Sequence, residues 1–528
     1  MFLSSLTNSF NAGAWTFRDF LAFASLVLLW AVENFFIQES AFVVHPATRN
    51  PNVYRFLRMV LNLTTATALL LLCGRRLLIG VLVADSTLSV LILAHNKYFR
   101  HAFSVYLGLR MAKEGMPMTL IGLQFVPLTA CLLLFWALAT KIFLAFCLAP
   151  MPAEVASLGS RVAWAGVCLV PAVLIVLALQ WTSFCFRSIA ATRVTRAVYA
   201  YGYFISWIAE FFVVPSTHEL AQELAQLQND SPDRLSGTEG PLEFGSNVVV
   251  IQMESWGWNA LDCQMNGQEV TPFLNGLARR SRLFKVEAYH HVASLDMDYA
   301  VLSGGSPSKR MVSYLVADVP YDKALPRFMQ QHGFRTLALH GNSGEFFGRR
   351  ENFKRMGFDE IYFQEDFNSR AVKRSYWGVR DAELFRLSSQ KLHKAVGPEF
   401  HFIITLDSHV PFDLIYEEEK EIYPHSQAWQ ENYFNSIRVL DRDMREYIES
   451  LPAGTLVILY GDHTSNLNYA KFQAAIDEHA EYVPCVVHVC QAPAAQSAQT
   501  SERVLPEDLR ILDVMNWVRH QIAERNGK

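Results

Sequence analysis

The chain has 528 residues, too many for one ordinary domain, and 51 % of them are hydrophobic. Its formal net charge is only −4 and no basic cluster stands out, which excludes the electrostatic footprint of a nucleic-acid-binding protein. These averages hide a split: apolar runs dominate before about residue 185, and the chain after about residue 217 has the composition of a soluble enzyme.

Five runs approach the roughly 20 residues that a bilayer crossing requires. They are Phe20–Ile37, Met59–Gly74, Leu77–Ala94, Met118–Ala139 and Val162–Trp181. The first lacks a cluster of positive charges and a small-residue cleavage site, so it reads as an anchor rather than a cleaved signal peptide. Glu33 and Asp85 fall inside runs, where an acid is a functional candidate. Five spans with the C-terminus outside place Arg49, Arg55, Arg58, Lys97, Arg100, Arg110 and Lys113 in outer loops, against the positive-inside rule. A sixth span over Val198–Val214 would repair this. That run is short, aromatic and carries Glu210, which predicts an interfacial helix instead. The expected division is a membrane domain over 1–184, juxtamembrane helices and linker over 185–245, and a catalytic domain over 246–528.

Beyond the linker come four near-continuous apolar strands, "NVVVIQM" (247–253), "FRTLALH" (334–340), "HFIITLD" (401–407) and "TLVILYG" (455–461). Such strands are buried on both faces, as in a parallel sheet covered by helices. Amphipathic stretches Thr271–Ser281, Lys323–His332 and Asn432–Ser450 lie between them. The alternation predicts an α/β fold. The eight cysteines form no CxxC and no disulfide framework. "CQAPAAQSAQTS" reads as an exposed loop.

Polar residues follow the strands in a regular way. Glu254 follows the first, His340 ends the second, His409 follows the third, and Asp462 with His463 follow the fourth. Ligands bind beyond the carboxyl ends of strands in open α/β sheets. A carboxylate, an Asp-His pair and the hydroxyl of Ser294 can hold one divalent cation: manganese, zinc or magnesium. Such a cation would activate Ser294 and neutralise charge on a phosphoryl oxygen. Arg349 in "FFGRR" can grip a second phosphate oxygen with its planar fork. Taken singly, each of these residues also reads as a solvated turn residue or a structural hydrogen-bonder. His290 and His291 read as loop residues.

The motifs resemble, in order, those of the lipoteichoic acid synthase family, membrane-anchored phosphoglycerol transferases of the alkaline phosphatase and sulfatase superfamily. "IQMESW" resembles the strand ending in the metal-binding glutamate, and "VTPFLNGL" the helix start "TPFLN". "ASLDMDY" resembles "KTSDSEF" and places Ser294 at the nucleophile, commonly a threonine there. "LHGNSGEFFGRRENFKRMGFDEIY" resembles a segment with "HGN", "FWNR" and "GYD"; the tryptophan near the glycerophosphate is Phe347 here. "TLDSHVPF" places His409 near the substrate phosphate, and "YGDHTS" supplies Asp462 and His463.

The resemblance implies an α-helical transmembrane bundle of about five spans followed by an α/β sulfatase-like catalytic domain outside a bacterial cytoplasmic membrane. It implies Glu254, Ser294, Asp462 and His463 as ligands of one divalent metal ion, manganese first. It implies Ser294 as nucleophile, with His340, Phe347, Arg349 and His409 at the substrate. Phosphatidylglycerol would be the donor, and a glycan, glycolipid or polyglycerol-phosphate the acceptor. The alternatives are a phosphoethanolamine transferase, whose relatives are usually rich in disulfides, a metal-dependent phosphoester hydrolase, and a non-catalytic lipid- or glycan-binding membrane protein.

Overall fold

Five helices carry the apolar half of the chain: α1 (Phe17–Glu39), α2 (Pro51–Leu72), α3 (Arg75–Phe99), α4 (Leu128–Cys147) and α5 (Leu158–Leu179). The computed structural model describes residues 16–41, 51–99, 102–110, 123, 126–148, 157–182, 194–213, 216–228, 234–235, 239–291, 294–367, 373–375, 377–465, 481–490 and 509–525. The loop expected over "CQAPAAQSAQTS" falls almost wholly outside them, as do Arg49, Arg100 and Lys113. The chain divides into two compact units, 1–215 and 216–528.

In the first unit, all five helices are long and apolar enough to cross a membrane, which makes this a multi-pass membrane protein. The start of α1 is set by Thr16 and Asp19, which cap each other reciprocally. The fourth span begins at Leu128, ten residues after the expected Met118. Pro127 stands at its N-cap, where a residue without an N–H costs least. Two charges expected in outer loops also move. Arg55 and Arg58 lie inside α2, both paired with Glu39. Arg58 is fully buried, its guanidinium over the rings of Phe35 and Tyr199.

The intramembrane acids have a partner that hydropathy did not single out. Lys141 on α4 is 2.8 Å from Glu33 and 3.6 Å from Asp85. It also donates to Ser86 at 3.0 Å, and Trp30 Nε1 donates to Asp85 at 2.8 Å. Paired this way, the charges cross-link α1, α3 and α4 inside the bundle. Helix α6 (Val194–Val213) follows, broken at Gly202, whose φ of 71° breaks the helical run.

The second unit opens with α7 (Thr217–Leu227) and is organised by a seven-stranded sheet. Its strands are β1 (Val248–Met253), β2 (Arg282–Glu287), β3 (Arg335–His340), β4 (Glu360–Tyr362), β5 (Glu399–Ile404), β6 (Leu456–Gly461) and β7 (Tyr482–Val489). Their order is β2-β7-β6-β1-β5-β3-β4. The five from β6 to β4 pair in parallel, as the apolar runs predict. β7 runs antiparallel to both β6 and β2, so the sheet is mixed. The helices are α8 (Pro272–Arg279), α9 (Leu295–Ser303), α10 (Leu325–Gln331), α11 (Arg349–Met356), α12 (Asp381–Lys394) and α13 (Trp429–Ser450), before the final helix Ile511–Arg525. Helices α12 and α13 bury one sheet face against Val249, Ile251, Leu337, Ile403, Val457 and Leu459. That burial leaves the carboxyl ends of β6, β1, β5 and β3 side by side.

Candidate functional site

The register of β1 on β6 pairs Met253 with Gly461, so the next residues, Glu254 and Asp462, leave two adjacent strand ends together. The approach is tight. A Cβ at Gly461 would lie 1.9 Å from the Trp256 carbonyl oxygen. Between them Ser255 takes the left-handed conformation with φ 57°, unusual for a non-glycine residue. Its N–H donates to Asp462 Oδ1 and its hydroxyl to Glu254 Oε1, both at 2.8 Å. Its carbonyl accepts from Tyr433. The Glu254 backbone is held from the segment after β5: its N–H donates to Thr405 Oγ1 at 2.9 Å, and its carbonyl accepts from Ser408 Oγ at 2.6 Å.

His463 faces this pair. Its Nδ1 lies 2.7 Å from the Thr464 carbonyl, which can only accept, so Nδ1 carries the proton. Nε2 then turns toward Ser294 Oγ at 3.2 Å, Glu254 Oε1 at 3.3 Å and Asp462 Oδ2 at 3.6 Å. Ser294 precedes α9 and makes no capping bond, which leaves its hydroxyl available. Asp462 Oδ1 accepts from the N–H groups of Ser255 and His463, while Oδ2 is buried with no hydrogen-bond partner.

Ligand atoms of Glu254, Asp462 and His463 lie within 4.8 Å of one another. Two carboxylates, an imidazole nitrogen and a hydroxyl converge with an orphaned oxygen among them. This donor set fits a divalent cation, and sulfatase-superfamily enzymes generally use one.

The charges respond to one another. Burial alone would raise the Glu254 carboxyl, but His409 and His463 hold it below its ordinary range. Burial and the neighbouring Glu254 push Asp462 well up. Burial would lower His463; Asp462 and Glu254 outweigh it and hold the imidazole well above its usual value.

A second group lies at the end of β3. Arg349, only 5 % exposed, donates from Nε to Asp298 Oδ2 at 2.8 Å, and its Nη1 is 3.4 Å from His340 Nε2. His340 Nδ1 lies 3.1 Å from the Ile404 carbonyl, so Nε2 is the accepting nitrogen. Burial, then Arg349, pushes His340 down to about 3, which keeps it neutral. His409 repeats the pattern, with Nδ1 on the Val410 carbonyl at 2.7 Å and its ring against Trp377. All three histidines therefore present Nε2. Phe347 is buried with φ 54°, its ring against Phe346. Arg350, by contrast, lies on the exposed acids Glu365 and Asp366.

The structure thus brings Glu254, Ser294, Asp462 and His463 together, and joins Arg349 to His340. Three neighbours were not singled out from the sequence. His290, read as a loop residue, stacks on His463 with ring centroids 4.5 Å apart. Glu481 binds His290 Nδ1 at 3.1 Å and the N–H and hydroxyl of Thr464, which hold its carboxyl down to about 2 against the effect of burial. Asp298 pairs with Arg349. Asp298 leaves a trace in the sequence, four residues after Ser294 on one helix face; Glu481 immediately precedes β7 and signals nothing.

The sulfatase family model matches residues 246–509, half of the chain. Among curated proteins, lipoteichoic acid synthase 2 of Bacillus subtilis (strain 168) is 24 % identical over 46 % of this chain and 41 % of its own length. Lipoteichoic acid synthase of Staphylococcus saprophyticus is 27 % identical over 41 % of this chain and 35 % of its own. The match spans well under two thirds of either relative. Among solved structures, the integral membrane lipooligosaccharide phosphoethanolamine transferase A of Neisseria meningitidis aligns over 89 % of this chain and 88 % of its own, with TM-score 0.52 and 14 % identity. That likeness concerns the fold, a membrane helical unit followed by an α/β unit.

Proposed function

We propose a reaction for this chain from one premise: it belongs to the sulfatase family. The reaction is transfer of sn-glycerol phosphate from phosphatidylglycerol to a hydroxyl of a glycan, glycolipid or polyglycerol-phosphate acceptor, through a covalent intermediate on Ser294. The observation that carries it is the Ser294 hydroxyl, uncapped and 3.2 Å from His463 Nε2, beside two buried carboxylates. The names of the curated relatives support the substrate class.

Glu254, Asp462, His463 and Ser294 would hold one divalent ion, manganese first; when bound it favours the serine alkoxide and neutralises a phosphoryl oxygen. Ser294 Oγ attacks the phosphorus, the bond to diacylglycerol breaks, and phosphoglyceryl-Ser294 forms. Arg349 donates to a second phosphoryl oxygen through N–H groups not used by Asp298 and His340. His340, neutral with Nε2 accepting, serves to orient Arg349. His409 presents Nε2 to the same phosphate. An acceptor hydroxyl then attacks the phosphorus and releases Ser294. The α/β unit works on the extracytoplasmic side of a bacterial cytoplasmic membrane, and the five spans keep it on the surface that contains its lipid donor.

Incubation with labelled phosphatidylglycerol tests this. The expected products are diacylglycerol, seen by mass spectrometry of the lipids, and a phosphoglyceryl adduct on Ser294, seen in the digested protein. Label released without either product would end the proposal.

A further inference from the structure

Arg349 and Asp298 form a buried ion pair, with side chains 6 % and 0 % exposed. A guanidinium has five N–H donors in a fixed plane. Here Nε is committed to Asp298 and Nη1 faces His340 Nε2, so the orientation of that plane is determined from two sides. His340 stands on β3 and Arg349 begins α11. Asp298 is different: it stands on α9, the helix that Ser294 precedes. Four residues separate them, so they share a face and lie about 6 Å apart along the axis at about 1.5 Å per residue.

We propose that Asp298 is a positioning residue that sets the distance between the nucleophile and the phosphate-gripping arginine. This rests on the reading of Arg349 given above. One turn of a single helix, rather than two loops, then fixes how far the gripped oxygen stands from the attacking oxygen. In-line attack needs reacting atoms about 3–3.5 Å apart, and a displacement of about 1 Å is costly. A lysine at 349 would keep the charge and lose the plane that Asp298 orients. Desolvation raises the Asp298 carboxyl to about 6, and Arg349 opposes that rise.

The test uses the full-length protein in mixed micelles: wild type, Asp298→Asn, Arg349→Lys and the double variant. Turnover is followed on a glycerophospholipid and, in parallel, on a soluble aryl phosphodiester. Orthophosphate binding is measured by calorimetry. Each single variant is expected to lose about tenfold to a hundredfold in kcat/KM and to bind orthophosphate more weakly. Bound metal should stay at the wild-type level. The double variant should be hardly worse than the poorer single one, because coupled residues are non-additive. Wild-type kinetics and phosphate binding in Asp298→Asn, or losses that multiply in the double variant, would overturn the proposal. Should Asp298→Asn not fold, Asp298→Glu keeps the charge with one more methylene; a comparable loss supports the proposal, and wild-type kinetics overturns it. A wild type inert on the glycerophospholipid and active on the aryl diester would sink the phosphoglycerol reading alone, with the coupling still read on the diester.

Discussion

The Ser294 hydroxyl meets His463 Nε2 at 3.2 Å and makes no capping bond to α9. Replacing it by alanine is expected to abolish turnover while leaving the unfolding midpoint close to wild type; threonine should retain part of the activity. A turnover assay beside a thermal melt checks both. The two arginines of "FFGRR" differ more than their adjacency suggests. Arg349 is buried on Asp298, whereas Arg350 sits among exposed acids. Arg349→Lys should cost about tenfold or more in kcat/KM, and Arg350→Lys should be near normal; the reverse ranking would assign the grip to Arg350. The electrostatics of His463 give a third expectation. His463 is held above its ordinary value by Asp462 and Glu254, and cation binding requires a neutral imidazole. Below the raised pKa, apparent affinity should climb about tenfold per pH unit and then flatten. Chelator competition between about pH 6 and about pH 8 measures it, and a flat profile would contradict it. Much of this residue set was legible in the sequence because a polar residue after a continuous apolar run is conspicuous, as with Glu254 and Asp462. The nucleophile needed the family motif. Asp298 and Glu481 were not legible as site residues because their significance comes from tertiary neighbours.

At the scale of elements, the four central strands lie within one to three residues of where the apolar runs place them, since burial on both faces demands uninterrupted hydrophobicity. β4 is only three residues long, too short for any periodic signal, and the reversal of β7 depends on which neighbour it meets rather than on its own residues. The fourth span shows the opposite failure: apolar composition continued through Pro127, and the backbone did not. The β6–β1 junction makes a prediction of its own. Gly461→Ala places a methyl against the Trp256 carbonyl, a backbone atom that cannot swing aside. The expected cost is on the order of 3 kcal/mol, with metal binding lost in any molecules that still fold. Chemical denaturation with metal titration reads both; a variant as stable as wild type would show that the strands can part without loss.

For the molecule as a whole, the division into an apolar first unit and an α/β second unit was visible in composition alone. The electrostatics of the first unit were not: Lys141 lies just beyond the fourth apolar run yet inside its helix, and Arg58 was counted as a loop charge although it is buried on Glu39. The sheet order of the second unit also bears on the protein's synthesis. Glu254 leaves β1, the first strand made, yet Thr405, which holds its backbone, comes 151 residues later, and Ser255 waits 207 residues for Asp462. A nascent chain emerging from the translocation machinery therefore carries its hydrophobic anchor long before it can assemble a reaction centre. Truncated or stalled products would reach the bilayer without an assembled site. The late arrival of β6 makes its synthesis a condition of assembling the site.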